Sequence, residues 1–234
     1  MHRHSHSQVP FNDPLIYLSK TLTKLYTIWV SLTYPFASIG RNLSMHFTCR
    51  LPRPIAPRIK IGSSVWIGKD TWLNVSPTDE TDEPKIVIED NVKVCAGTQI
   101  SAKNSIHIGH DALISSSVLI QDHLHGYEDI TRPIQEQPIT EGGRIRIGQG
   151  SWIGRGAAIL CTRGELILGQ HCVVGANAVV LQSFPPYSVV FGNPARVIRQ
   201  FDPAKNAWVI GSVHSTPPTD ATKKVKPDPA PDGY

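Results

Sequence analysis

The sequence predicts an all-β fold, a parallel β-helix built from three-sided coils, on three observations. Aliphatic residues recur every six positions in five blocks. Glycine often follows the aliphatic residue, as at Gly62, Gly68, Gly109, Gly148, Gly154, Gly169 and Gly175. Four positions beyond it stands a residue that is often small or β-branched: Val65, Thr71, Val92, Thr98, Ala112, Ala157 and Ala178. The blocks are Ile61, Ile67 and Leu73; Ile88, Val94 and Ile100; Ile108, Ile114 and Ile120; Ile147, Ile153 and Ile159; and Leu168, Val174 and Val180. A step of six is neither the 3.6 of an α-helix nor plain alternation. It suits a prism in which each side is one short strand and a corner. Three hexads then make a coil, and the aliphatic side chains stack along the axis.

The other elements follow in chain order. Residues 1–12 are rich in His and Ser and are expected to be disordered. Residues 13–54 form a helical capping segment. Within it, Leu15, Leu18, Leu22, Leu25, Tyr26 and Trp29 recur at three- and four-residue steps over residues 13–36. Packing of that stripe against the open end of the coil stack is expected, since exposed strand edges need cover. Peripheral contact of residues 13–36 with a membrane surface is the second reading, which Lys20 and Lys24 permit. Residues 55–200 hold the coils, interrupted at Pro77 to Pro84, slightly between Ile100 and Ile108, and most by a long loop over 121–144. Residues 201–214 are expected to pack outside the prism. Residues 215–234, rich in Pro, Asp, Lys and Thr, are expected to form a flexible tail.

Composition narrows the function. The net charge of +4 over 234 residues suits a polyanionic small molecule or an anionic membrane surface. No run of Lys and Arg interleaved with aromatics argues for nucleic acid. Cys49, Cys95, Cys161 and Cys172 are scattered and form no Cys-x-x-Cys pair, so a reducing cytoplasm is expected, with a place at the inner face of the membrane as its variant. No secretory signal and no uninterrupted apolar span of about 20 residues is visible. Cys161 and Cys172 are read as packing residues: His171 precedes Cys172, but neighbours on a strand point to opposite faces.

The long loop carries the chemistry. Asp122, His123, His125, Glu128 and Asp129 lie within eight residues. A neutral imidazole suits proton abstraction from a hydroxyl near pH 7. Its second nitrogen needs an orienting partner, which Asp122, Glu128 or Asp129 could supply.

The coils, this loop, Ser151-Trp152-Ile153-Gly154 and the closing Gly192-Asn193-Pro194-Ala195-Arg196-Val197-Ile198 resemble the hexapeptide-repeat acetyltransferases over about residues 57–202. The likeness is to the maltose, galactoside and nodulation-factor O-acetyltransferases and to those of exopolysaccharide and lipopolysaccharide synthesis. It implies a left-handed coil and acetyl transfer from acetyl-coenzyme A to a hydroxyl of a saccharide acceptor. It also implies a homotrimer with its cofactor groove between neighbouring prisms. The family's catalytic histidine stands eight residues along from the start of a Val-x-Ile triplet. Counting from Val118-Leu119-Ile120 gives His125, with His123 as second choice. The resemblance further gives the Arg155 N–H as oxyanion donor and Trp152 as a wall of the acceptor and pantetheine region. Ala176 would lie along the pantetheine arm, and the closing run with Asn193 and Arg196, joined by Arg199, would meet coenzyme A.

Some positions depart from the family. Cys95 stands where the maltose and galactoside branch carries an acceptor-contacting Asn. Leu160-Cys161-Thr162-Arg163-Gly164 replaces the usual Pro-Gly corner, and Leu181-Gln182 replaces Thr-Lys. Two rival readings stand beside acyl transfer. One resembles the γ-class carbonic anhydrases, with a three-His zinc site from His107, His123 and His125, since His107 and His125 would fall one coil apart. The other is a non-catalytic scaffold. The preferred reading expects no metal.

Overall fold

The computed structural model describes residues 14–76 and 83–210. The expected disordered ends at 1–12 and 215–234 lie outside the described residues, as does most of the break at Pro77 to Pro84.

The fold is a left-handed parallel β-helix. Each sequence block is one coil, and its three members sit on three different faces. A further coil precedes them inside the segment expected to be a helical cap. There Ser38–Ile39, Ser44–Met45 and the bridge at Arg50 pair parallel with the first block's coil, so the coils begin before residue 55. On the first face Ile61, Ile88, Ile108, Ile147 and Leu168 pair in that order. On the second, Ile67, Val94, Ile114, Ile153 and Val174 do so. On the third the column is Leu73, Ile100, Ile120, Ile159 and Val180. All of these side chains are at most 1 % exposed. Each such burial contributes about 1.5–3 kcal/mol relative to exposure, which makes the axial stack the main source of stability.

The corners divide two tasks between two positions. The residue in left-handed backbone is not the glycine after the aliphatic side chain but the residue two further on. It is Ser64, Asn91, Asp111, Gly150 or His171 at one corner, with φ between +52° and +64°. Gly148 is required instead by close approach. A Cβ there would lie 2.5 Å from the Gln170 nitrogen and 2.5 Å from the Gly169 carbonyl carbon, both backbone atoms of the next coil. Gly148→Ala is therefore expected to cost about 1–3 kcal/mol and to lower the thermal midpoint in a calorimetric scan. An unchanged midpoint would mean that the coils can spread at no cost.

At the start, helix α1 (Pro14–Thr33) lies over the first coil. Thr27 Oγ1 accepts the Met45 N–H at 3.0 Å and sits 3.1 Å from the Met45 carbonyl, so it serves the edge groups of the strand Ser44–Met45. Val30 and Met45 are fully buried against each other's surroundings in the core. The inward packing expected for the apolar stripe does not occur. Leu15, Leu18, Leu22, Leu25 and Trp29 are exposed, and only Tyr26 of that set packs against the core. The reason is the strand edge, which offers unpaired backbone groups and draws in the hydroxyl side of the helix.

At the other end the strand Ser188–Gly192 completes the parallel second face beside Val173–Val174. The chain then reverses through the cis Asn193–Pro194 bond. Ala195–Asp202 and Ala207–Ile210 extend this face antiparallel. The first of these strands runs across the boundary expected at residue 200. Phe201 packs between Tyr187 and Trp208, with ring centroids 6.1 and 5.6 Å away.

Candidate active site

The long loop leaves the third face after the strand Leu119–Gln121 and rejoins the first at Arg144–Ile147. Its two arms pair. The Gly126 N–H donates to the Pro138 carbonyl, the Thr140 N–H donates to the Leu124 carbonyl, and His125 faces Ile139 in an antiparallel bridge. Asp129 holds the outer turn: its Oδ1 accepts from the Thr131 N–H at 2.9 Å and the Thr131 hydroxyl at 2.6 Å. The Thr131 hydroxyl lowers the Asp129 pKa. Asp129 is thus spent on the turn rather than on a histidine. Glu128 is exposed, and no side-chain hydrogen bond involves it among the described residues.

The base of the loop is built on Asp122, which is fully buried. Its Oδ1 accepts from the Lys103 N–H at 2.7 Å, and its Oδ2 accepts from the Asn104 and Ser105 N–H groups at 2.8 and 2.9 Å. His123 Nδ1 lies 2.9 Å from Oδ1. Four donors therefore converge on one carboxylate, and its backbone carbonyl accepts from the returning Gly143 N–H at 2.7 Å. Lys103 Nζ and Asn104 Nδ2 donate to the carbonyls of Thr140 and Glu141. None of these partners was legible as a loop anchor in the sequence. They come from the preceding coil, at 17 to 37 residues' separation.

The two histidines differ. His123 is 8 % exposed, with one ring nitrogen committed to Asp122. Among the described residues every fully buried side-chain nitrogen and oxygen has a partner, so its unpaired Nε2 reaches the surface. His125 is exposed, and its imidazole makes no hydrogen bond among the described residues. Its backbone, by contrast, is clamped between the paired arms. Beside the arms lies a pocket of about 580 Å³, lined by Tyr127, Glu128, Glu141, Thr162 and Arg163 among others. The unusual Leu160 to Gly164 corner supplies its far wall.

The corner between the second and third faces forms a column of open donors. The N–H groups of Ser116, Arg155 and Ala176 stand at equivalent positions on successive coils, and none has an acceptor among the described residues. Just below lies Trp152, 49 % exposed, so it is not an ordinary core aromatic. Its indole Nε1 donates to Ser115 Oγ at 2.9 Å, which fixes the ring on the outer surface of the second face. Ser115 carries no motif. Only the register, with Trp152 beside Leu113, brings it there. Leu113 lies next to Trp152 on this face and is 38 % exposed; Trp66, 42 % exposed, lies two coils further back, beyond Lys93. Asn193 is exposed in the terminal turn, and Arg196 is exposed with Nη1 donating to the Ala195 carbonyl.

The three-His arrangement is not formed. The chain leaves the coil at Asp122, so the neighbours of His107 across the stack are Val87 and Arg146. His107 Nε2 pairs with Glu89 Oε1 at 2.8 Å instead. Among the described residues no three His, Cys, Asp or Glu side chains are grouped to hold a metal ion. Cys161 and Cys172 are buried, and burial raises both thiol pKa values. Cys49 is likewise buried, with its thiol pushed up to about 12.

No family model matches the chain. It is 35% identical over 129 residues to a putative lipopolysaccharide biosynthesis O-acetyl transferase of Escherichia coli (strain K12), covering 53% of this chain and 64% of that one. The chain thus spans just under two thirds of that relative. It is 30% identical over 152 residues to a putative acetyltransferase of Staphylococcus aureus (strain MRSA252), covering 55% of this chain and 75% of that one. Among solved structures, an N-acyltransferase from Bacillus cereus, in complex with dTDP and 3-hydroxybutyryl-CoA, superposes with a TM-score of 0.59 at 21% identity. It covers 76% of this chain and 86% of that one. Galactoside acetyltransferase in complex with coenzyme A gives 0.52 at 20% identity, covering 82% and 85%. At such identities the structural likeness speaks for the coil alone. The sequence likeness extends over three quarters of the second relative. Together with the coils and the loop set on them, it means that the chain belongs to the hexapeptide-repeat acetyltransferases.

Proposed function

We propose that this protein transfers an acetyl group from acetyl-coenzyme A to a hydroxyl of a saccharide acceptor, in polysaccharide or lipopolysaccharide biosynthesis. The observation that carries this reading is His125: an exposed, uncommitted imidazole on a backbone clamped between paired arms. The likeness to a putative lipopolysaccharide O-acetyl transferase supports a hydroxyl acceptor. The loop pocket, lined by Tyr127 together with Glu128, Glu141 and Arg163, has the mix of ring and polar groups that a sugar needs.

His125 takes the proton from the acceptor hydroxyl as its oxygen attacks the thioester carbonyl carbon. The carbon–sulfur bond breaks, and the proton held by the imidazole passes to the leaving thiolate. No acyl-enzyme forms, in keeping with the buried, raised-pKa Cys161 and Cys172. The free Arg155 N–H donates to the carbonyl oxygen as negative charge develops on it. Ala176, one coil further on, offers its N–H to the pantetheine arm, and Trp152 walls the region. Arg196, and Arg199 beside it, meet the phosphates, with Asn193 in the turn next to them. The exposed, adjacent Leu113 and Trp152 support a homotrimer in which the second face meets a neighbouring prism. A second reading uses His123 as base with Asp122 as its orienting partner, which the 2.9 Å contact favours.

The test is thiol release from acetyl-coenzyme A against a panel of sugars and nucleotide-sugars. Acceptor-dependent release is expected. No release with any acceptor, sugar amines included, would remove the reading. Trp152→Ala is expected to raise KM by about tenfold with a smaller change in kcat, since the ring supplies binding rather than chemistry. Loss confined to kcat would instead place Trp152 in the reacting centre.

A further inference from the structure

The outer surface of helix α1 is inverted relative to an ordinary packed helix. Leu18, Leu22, Leu25, Ile28, Trp29 and Leu32 are between 39 % and 81 % exposed. At 3.6 residues per turn they occupy a continuous arc of about 120°. The opposite side, with Ser19, Thr23, Thr27 and Val30, is the one that meets the first coil. Lys24 borders one edge of the apolar arc and Lys20 lies further round on the same side, with its Nζ 5.8 Å from the centre of the Tyr17 ring.

Charge tells what covers this face. Residues 14–69 carry eight Lys and Arg (Lys20, Lys24, Arg41, Arg50, Arg53, Arg58, Lys60 and Lys69) and no Asp or Glu. The rest of the chain holds the remaining 15 of 23 basic residues and all 19 acidic ones, so it is net negative. The capped end of the prism is therefore a cationic pole bearing an apolar helix face. We infer that α1 docks this end of the molecule on an anionic lipid bilayer, with its Leu and Trp side chains in the interface and the basic residues against the headgroups. No helix among the described residues is long and apolar enough to cross a membrane, so α1 lies on the surface. The spacing of the stripe also fits pairing with a second copy of α1. Such seams are set by opposite charges beside the apolar row, however, and α1 offers only lysines.

The test is flotation of the full chain with vesicles of phosphatidylcholine alone or mixed with phosphatidylglycerol. Flotation with the mixed vesicles is expected, falling at least about tenfold with phosphatidylcholine alone or in high salt. A Leu18→Glu, Leu25→Glu and Leu32→Glu variant should lose it by a similar factor at unchanged sedimentation mass. Lys20→Gln with Lys24→Gln, which alters no packed side chain, should weaken binding and flatten its salt dependence. Absence of flotation by the parent, or equal flotation by both variants, overturns the inference. So does a fall in sedimentation mass in the leucine variant, which would make this face a contact between copies. Vesicle binding is read without acetyl transfer, so its failure leaves the catalytic reading untouched.

Discussion

His125→Ala lowers acetyl transfer by about a hundred- to ten-thousand-fold, the usual worth of a positioned general base, while binding of coenzyme A stays within a factor of about three. The side chain is exposed and makes no hydrogen bond within the described chain, so its removal leaves the fold intact. The same assay separates the two histidines. His123→Ala should retain at least about a tenth of parental turnover, because its ring is tied to Asp122 rather than presented to an acceptor. The reverse ranking, with His123→Ala near zero and His125→Ala active, would transfer the base to the Asp122–His123 pair. The check is kcat and KM for both variants, with coenzyme A affinity measured by calorimetry.

Asp122→Ala should produce the largest loss of stability in the loop region. It removes the acceptor of three backbone N–H groups and one imidazole from a site with no access to water. Leaving a buried donor unpaired costs about 1–3 kcal/mol each, so a total of several kcal/mol is expected. It would be read as a fall in the urea midpoint. Asp122→Asn should fall between, since the amide keeps one acceptor oxygen but turns an NH2 toward a donor. Turnover should fall with stability, because the anchor that positions the arms is gone. A variant that melts like the parent yet has lost turnover would assign Asp122 to catalysis rather than to the staple.

The axial columns were legible because each coil repeats one demand. An aliphatic side chain must fill the prism once per face, so the period survives insertions, and Ile61 to Val180 could be assigned one by one. The loop was legible as a break in that period, and its histidines by their chemistry. The grip of Asp122 was not, because its donors Lys103, Asn104 and Ser105 have no side-chain signature: they act through backbone N–H groups one coil away. Ser115 under Trp152 was hidden for the same reason, as its role follows from register. The metal reading of His107 failed on geometry. Counting hexads put His125 beside it, but the chain departs from the coil at Asp122 and gives that place to Arg146.

By itself, then, the sequence determined the architecture and the family, since these rest on a period and on motifs that need no partner to be read. It did not determine the coil count: the coil over residues 38–51 appears only in the strand pairing. Only the tertiary structure decided which way α1 faces and what holds the loop. An apolar stripe is equally apolar facing in or out. The bare edge of Ser44–Met45, which prefers the hydroxyl of Thr27 to a leucine, settled the matter.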